Sequence, residues 1–207
     1  HIDKGKFMNP LLSIKGTITV GVVLALAVAY GMGNGLGGLN AVIWLHVLAG
    51  VAWIGLLYYF NFVQVPGVAA ALAEADNGGP GPAAINKYVA PTALLWFRMA
   101  AAVTWLTGIS GLAQIGGGMD GIINAFTLSN GMGVIGLGAW LGTIMLFNVW
   151  VLIWPNQKKI LGLDGKTHDA NVIAGAKKIA LLASRTNTAL SVPMLLCMVG
   201  HGHGLAF

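Results

Sequence analysis

The sequence contains one cysteine, Cys197, in an apolar setting, so internal disulfides, thiolate zinc sites and iron–sulfur clusters are excluded. No CxxCH occurs, which excludes covalently attached c-type haem. Charge is also scarce. Asp, Glu, Lys and Arg make up 8% of the residues against 57% hydrophobic ones, and the mean hydropathy is +0.78. That composition leaves too little polar surface for a water-soluble globule of this length. The net charge of +5 would otherwise suggest nucleic acid, but the basic residues cluster beside apolar runs, as they do at membrane edges, and no nucleic-acid partner is expected.

Long apolar runs are what the chain has in plenty. Five are predicted to be transmembrane helices, over residues 17–32, 39–63, 92–115, 131–154 and 186–205, each able to span a core of roughly 30 Å if flanking residues snorkel. The polar, basic start lacks a small-residue cleavage signal before a soluble domain, so the first run is taken as a span rather than a removable leader, with a few residues expected upstream. No repeat is visible, and residues 1–207 are expected to form one all-α integral membrane domain.

Lys4, Lys6 and Lys15 precede the first span. Lys87 lies between the second and third, Arg98 near the start of the third, and Lys158, Lys159, Lys166, Lys177, Lys178 and Arg185 between the fourth and fifth. The connections 33–38 and 116–130 contain no Lys or Arg. Alternating spans place every basic residue on one side, which the positive-inside rule makes cytoplasmic. The N-terminus is therefore expected inside and the C-terminus outside, in a bacterial inner membrane. Residues 66–91 include Asn77-Gly78-Gly79-Pro80-Gly81-Pro82 and read as a turn-rich loop over the cytoplasmic face. The apolar period of residues 171–185 reads as a helix leading into the fifth span.

One imidazole, His46, lies well inside the second span. Hydrocarbon offers it no partner, so it is a functional candidate. It sits about seven residues below the outer face, or roughly 10 Å, while His201 sits about 15 residues, or roughly 22 Å, above the inner face. The two share a depth. Facing histidines on neighbouring helices suit the axial positions of a b-type haem, with Gly50 leaving room for a flat ring and Trp53 packing against it. His203 is the alternative second ligand, since it and His201 point about 200° apart. A plain interhelical hydrogen bond is the competing role for His46. Met194 and Met198 with His201 and His203 would suit copper, a lesser alternative. His1 and His168 read as solvated.

A second polar grouping falls at the inner boundary: Asn61, Gln64, Arg98, Asn148, Asn156, Gln157, Ser184, Arg185 and Asn187. Arg98, Asn156, Gln157, Arg185 and Asn187 are the candidates for binding a small anionic or quinone-like substrate, against snorkelling and capping roles. Gly138 and Gly142 form a GxxxG pattern suited to a partner helix. Pro193 is expected to bend the fifth span.

Several of these runs resemble a known family. They are Trp44-Leu45-His46 through Tyr59-Phe60-Asn61-Phe62-Val63, Trp96-Phe97-Arg98 with Thr104-Trp105-Leu106-Thr107-Gly108, Gly142-Thr143-Ile144-Met145 through Trp154-Pro155-Asn156-Gln157-Lys158, and Ala183-Ser184-Arg185-Thr186-Asn187 with Ser191-Val192-Pro193-Met194-Leu195. Together they resemble the membrane domain of urate hydroxylases of the PuuD type, over most of residues 40–203. The resemblance implies a membrane domain coupled to a C-terminal cytochrome c, oxidising urate and passing electrons outward. No such cytochrome stands in residues 1–207. The expectation is a haem b electron-transfer protein taking electrons from a cytoplasmic or membrane reductant, a purine or quinol, and passing them to a separate outer c-type cytochrome. The alternative is a non-catalytic accessory subunit of a larger respiratory or photosynthetic membrane complex.

Overall fold

A computed structural model describes residues 9–33 and 35–205, and among these every regular element is helical. His1, Lys4 and Lys6 lie outside the described residues. Contacts divide the chain into two units, His1–Ala41 and Val42–Phe207. The first unit contains α1, Ile14–Gly31, whose start is capped by Ser13 accepting from the Gly16 amide. No described residue of α1 is buried.

The second unit takes its shape from long helices. α2, Gly38–Tyr59, passes through a π-helical turn, Phe60–Gln64, into α3, Val65–Ala75. A π turn at Ile85–Val89 leads into α4, Ala90–Ile115. The short α5, Met119–Phe126, precedes α6, Gly133–Phe147, which passes through a π turn, Asn148–Ile153, into α7, Trp154–Ile160. α8 is one helix, Ala170–Gly202. Five helices are long and apolar enough to cross a membrane. Many large apolar side chains outside the core are exposed, among them Leu106, Val192, Leu196 and Val199, a surface that suits lipid rather than water. At 1.5 Å per residue α8 measures about 50 Å, longer than a bilayer core of roughly 30 Å, so its first turns with Lys177 and Lys178 reach past the hydrocarbon.

Helix extends further than expected between the second and third spans. Most of residues 66–91 is helical, and only the stretch around Asn77-Gly78-Gly79-Pro80-Gly81-Pro82 is a loop. Each of Pro66, Pro91 and Pro155 stands just after a π turn, at the start of the helical segment that follows. A proline ring collides with the carbonyl four residues back and removes one backbone bond. Here those carbonyls belong to Phe62, Lys87 and Val151, all inside the π turns, whose wider coil accommodates the proline and lets the helix continue.

The core of the second unit gathers Trp53, Leu57, Phe60, Phe97, Ala101, Met145, Val149 and Met194, with Phe60 set edge-on to Phe97 at 5.4 Å between centroids. α6 and α8 pack closely because Gly138 lies against Cys197 and Met198. The glycine of the GxxxG pattern therefore serves an internal contact, not a free face. Beyond α7, His168 bonds to Asp164 at 2.7 Å, and this bond holds the Asp164 carboxyl below the usual carboxylate range.

Candidate functional site

α2 and α4 run antiparallel in a constant register set by small residues. A methyl group placed on Gly111 would meet the Ile43 side chain at 3.4 Å, one on Gly108 would meet His46 at 3.1 Å, and one on Gly50 would meet Thr104 at 3.8 Å. Three residues forward from Ile43 to His46 match three back from Gly111 to Gly108. The four from His46 to Gly50 match the four from Gly108 to Thr104. The glycines of α4 make a shallow groove in which the His46 ring lies.

In that groove the ring is fixed by hydrogen bonds. Nδ1 of His46 lies 2.8 Å from the Thr104 carbonyl and 3.2 Å from the Thr107 hydroxyl. The Thr107 hydroxyl itself donates to the Val103 carbonyl at 2.6 Å. A carbonyl only accepts, so Nδ1 must carry the proton and donate. In the neutral imidazole the lone pair is then on Nε2, the arrangement usual for metal-ligating histidines. This is the interhelical hydrogen bond expected of His46, and it uses one nitrogen and leaves the other available.

His46 lines a partly open cavity of about 580 Å³ bordered by α2, α4, α5, α6 and α8, within the range of small-molecule sites. The wall is apolar apart from a few groups. Gly50, Trp53, Gly108, Gly142, Met194, Met198 and His201 all take part. The α5 helix, which lies inside the connection 116–130, borders one side through Phe126. It sits tightly there because Gly121 and Gly136 have no room for a side chain, lying against the backbones of Leu112 and Ala125. The Trp140 indole donates to the Phe126 carbonyl at 2.9 Å.

The register of α2 against α8 is also fixed by side chains. Asn61 donates to the Ser184 hydroxyl at 2.8 Å, and Tyr58 and Ser191 share a hydrogen bond of 2.9 Å. Counting outward from the first pair, the fifteen residues to His46 correspond to Val199. From the second pair, the twelve residues to His46 correspond to His203. His201 stands midway and lines the cavity. His203 is exposed and its Nδ1 donates to the Val199 carbonyl at 2.8 Å. Cys197 is buried against Gly138, and no group of three or more His, Cys, Asp or Glu suited to a metal ion occurs among the described residues.

The inner candidates do not form one constellation. Arg98 stacks on Trp154 with its guanidinium carbon 3.8 Å from the ring centroid, and Lys158 lies 5.7 Å from the same ring. One Arg98 nitrogen, Nη1, is buried without a hydrogen-bond partner, as are the amide oxygens of Asn61 and Gln64. Asn156 donates back to the Leu152 carbonyl within its own helix at 2.7 Å. Asn187 is fully buried, accepting from Asn148 at 2.8 Å and donating to the Met145 carbonyl at 2.9 Å. Arg185 is exposed, because two residues along a helix turn it by about 200° from Asn187. Gln157 makes no side-chain hydrogen bond among the described residues.

The parts of the site that sequence reasoning missed are on α4. Thr104, Thr107 and Gly108 hold His46, and the available signal was the pair of glycines, Gly108 and Gly111, about one turn apart on α4. Their role predicts a clear phenotype: Gly108→Ala should displace the imidazole by a few tenths of an ångström and weaken ligand binding at Nε2, with helix content unchanged by circular dichroism.

No curated protein and no solved structure matches the chain. A family model described as Urate oxidase N-terminal matches residues 122–207, from within α5 to the C-terminal residue, and over that stretch the chain is similar to that family.

Proposed function

We propose that this is a multi-pass membrane protein of the bacterial inner membrane, N-terminus inside, that holds a b-type haem in the α2–α4–α8 cavity and transfers electrons from an inner-side donor to an outer c-type cytochrome. The observation that carries the reading is His46: its Nδ1 proton is committed to the Thr104 carbonyl, which leaves Nε2 as a ligand atom. The apolar cavity, the glycines that keep side chains out of it, and His201 in its wall supply the rest. These features fit a flat, largely apolar group held by two imidazoles.

A haem held there would supply one-electron chemistry, its potential set by the axial ligands and by exclusion of water. The chain's own contribution is positional. Thr104 and Thr107 hold the His46 ring in one tautomer, and Gly108 lets it lie flat against α4. Met145, Leu57 and Phe97 close the core below and keep water from the inner side.

For the donor, the reading rests on Arg98. A guanidinium stacked on an indole with one nitrogen unpartnered is prepared for a planar, electron-rich ligand such as a purine or the head of a quinol, and unpartnered Asn61 and Gln64 oxygens stand at the same inner end of the core. Arg98→Ala is expected to abolish reduction by added donor while leaving the bound chromophore unchanged. The test of the proposal is a reduced-minus-oxidised absorption spectrum of protein expressed with haem supplied. A b-type band supports it, and its absence overturns it.

A further inference from the structure

The wall of the cavity is a ring of five helices, and one joint of that ring stands open. α2 lies on α4 in the glycine register described above, and α4 with α5, α5 with α6 and α6 with α8 pack together. The ring has then to close between α8 and α2. These two are joined at their inner ends, where Tyr58 and Ser191 share a hydrogen bond of 2.9 Å and Asn61, in the π turn after α2, donates to Ser184. Outward of that point wall residues of both helices are exposed: Val47, Val51 and Gly55 on α2, and Leu195, Val199 and Gly202 on α8. Val51 is 68% and Val199 60% exposed although both line the cavity. A methyl group on Gly55 or Gly202 would meet nothing within 4 Å. A side chain that borders an interior space and the outside at once marks an opening.

What the opening faces follows from its depth and its rim. Val51 stands thirteen residues after Gly38, the start of α2, or about 20 Å along the axis, which is well inside a hydrocarbon core of roughly 30 Å. The two hydrogen-bonded pairs set it level with residues 194–198 of α8. The rim carries valine, leucine and glycine and no polar side chain, as a surface in contact with acyl chains requires. At the outer end of the cavity Ile115 is also exposed, so a second way in, from the outer aqueous side, is the competing route.

We propose that the cavity exchanges its ligand with the bilayer, through a lateral portal between α2 and α8, and so takes lipid-soluble molecules rather than ones delivered from water. The proposal rests on the haem reading above, and protohaem, which dissolves in bilayers, meets the requirement. Val51 and Val199 are the gate. Their side chains stand mostly outside the cavity, across the path into it, so they set how fast a ligand enters and leaves and not how tightly it is held.

The test follows protohaem, dissolved beforehand in phosphatidylcholine vesicles, as it loads into the haem-free full chain reconstituted in the same lipid. The rate is read from the growth of the b-type band, and release from its loss to an excess of empty vesicles. The double variant Val51→Trp, Val199→Trp should slow loading and release alike, by about tenfold, and reach the same final occupancy, because a barrier raised in the path changes both rates and leaves their ratio unchanged. The same final occupancy also shows that the variant is folded. Ile115→Trp should leave both rates as they are. Unchanged rates in the double variant, a slowing by Ile115→Trp alone, or a lowered final occupancy with unchanged loading overturns the portal and leaves the haem site standing. A wild-type chain that takes up no haem, either from vesicles or from aqueous albumin, overturns both. Loading of the wild-type chain should also rise with the mole fraction of protohaem in the lipid at constant free aqueous haem, and a rate that follows the aqueous concentration instead overturns the portal.

Discussion

His46→Ala is expected to abolish the six-coordinate b-type absorption spectrum and to weaken binding sharply, leaving His201 as the remaining imidazole in the wall. The reason is the way the imidazole is supported. Its Nδ1 proton bonds to the Thr104 carbonyl, its ring lies against Gly108, and the cavity wall around it offers no carboxylate or thiolate to take its place. Alanine leaves an apolar hole and an unpaired Thr104 carbonyl. His203→Ala is expected to leave the band as it is, because that side chain is exposed and bonds back to Val199. His201→Ala should convert a six-coordinate spectrum into a five-coordinate one. The measurement is an absorption and resonance Raman comparison of the three variants purified alongside the parent. An unchanged six-coordinate band in His46→Ala would refute the assignment of the ligand.

Asn187→Ala is expected to have the largest effect on stability. This amide joins α8 to α6 and to the π turn that follows it, accepting from Asn148 and donating to the Met145 carbonyl, and it is 0% exposed. Removal leaves the buried Asn148 amide N–H unpaired, at about 1–3 kcal/mol, and takes one of its bonds from the Met145 carbonyl, which still accepts from the Asn148 backbone N–H, besides the small cavity left by the side chain. Membrane-protein cycles give smaller values for single bonds, since the unfolded chain in lipid finds other partners, but here two partners are lost together. A lowered midpoint of thermal unfolding in detergent, with the chromophore band unchanged below it, is the expected result. An unchanged midpoint would mean that the network is spare. In the sequence this asparagine stood among the substrate candidates. Its commitment to the Asn148 side chain and the Met145 carbonyl gives it a structural occupation instead, and the exposed Arg185 two residues away lies on the other side of the helix.

The sequence by itself determined the membrane character and the existence of five apolar helices, because hydrocarbon forces long uncharged runs that are visible without any contact. It also led to the expectation that His46 and His201 share a depth, by counting from the helix ends, and the structure places both in the wall of one cavity. The continuation of helix beyond Pro66, and the approach to Pro91 and Pro155, were not legible, because whether proline ends a helix depends on whether the turn before it widens. Which nitrogen of His46 is available, and whether Asn187 faces a ligand or a neighbouring helix, depended on partners 40 to 60 residues away. Only the tertiary structure decided these, because helix rotation and register are set by which small residues, Gly108 and Gly138 foremost, let a particular neighbour approach.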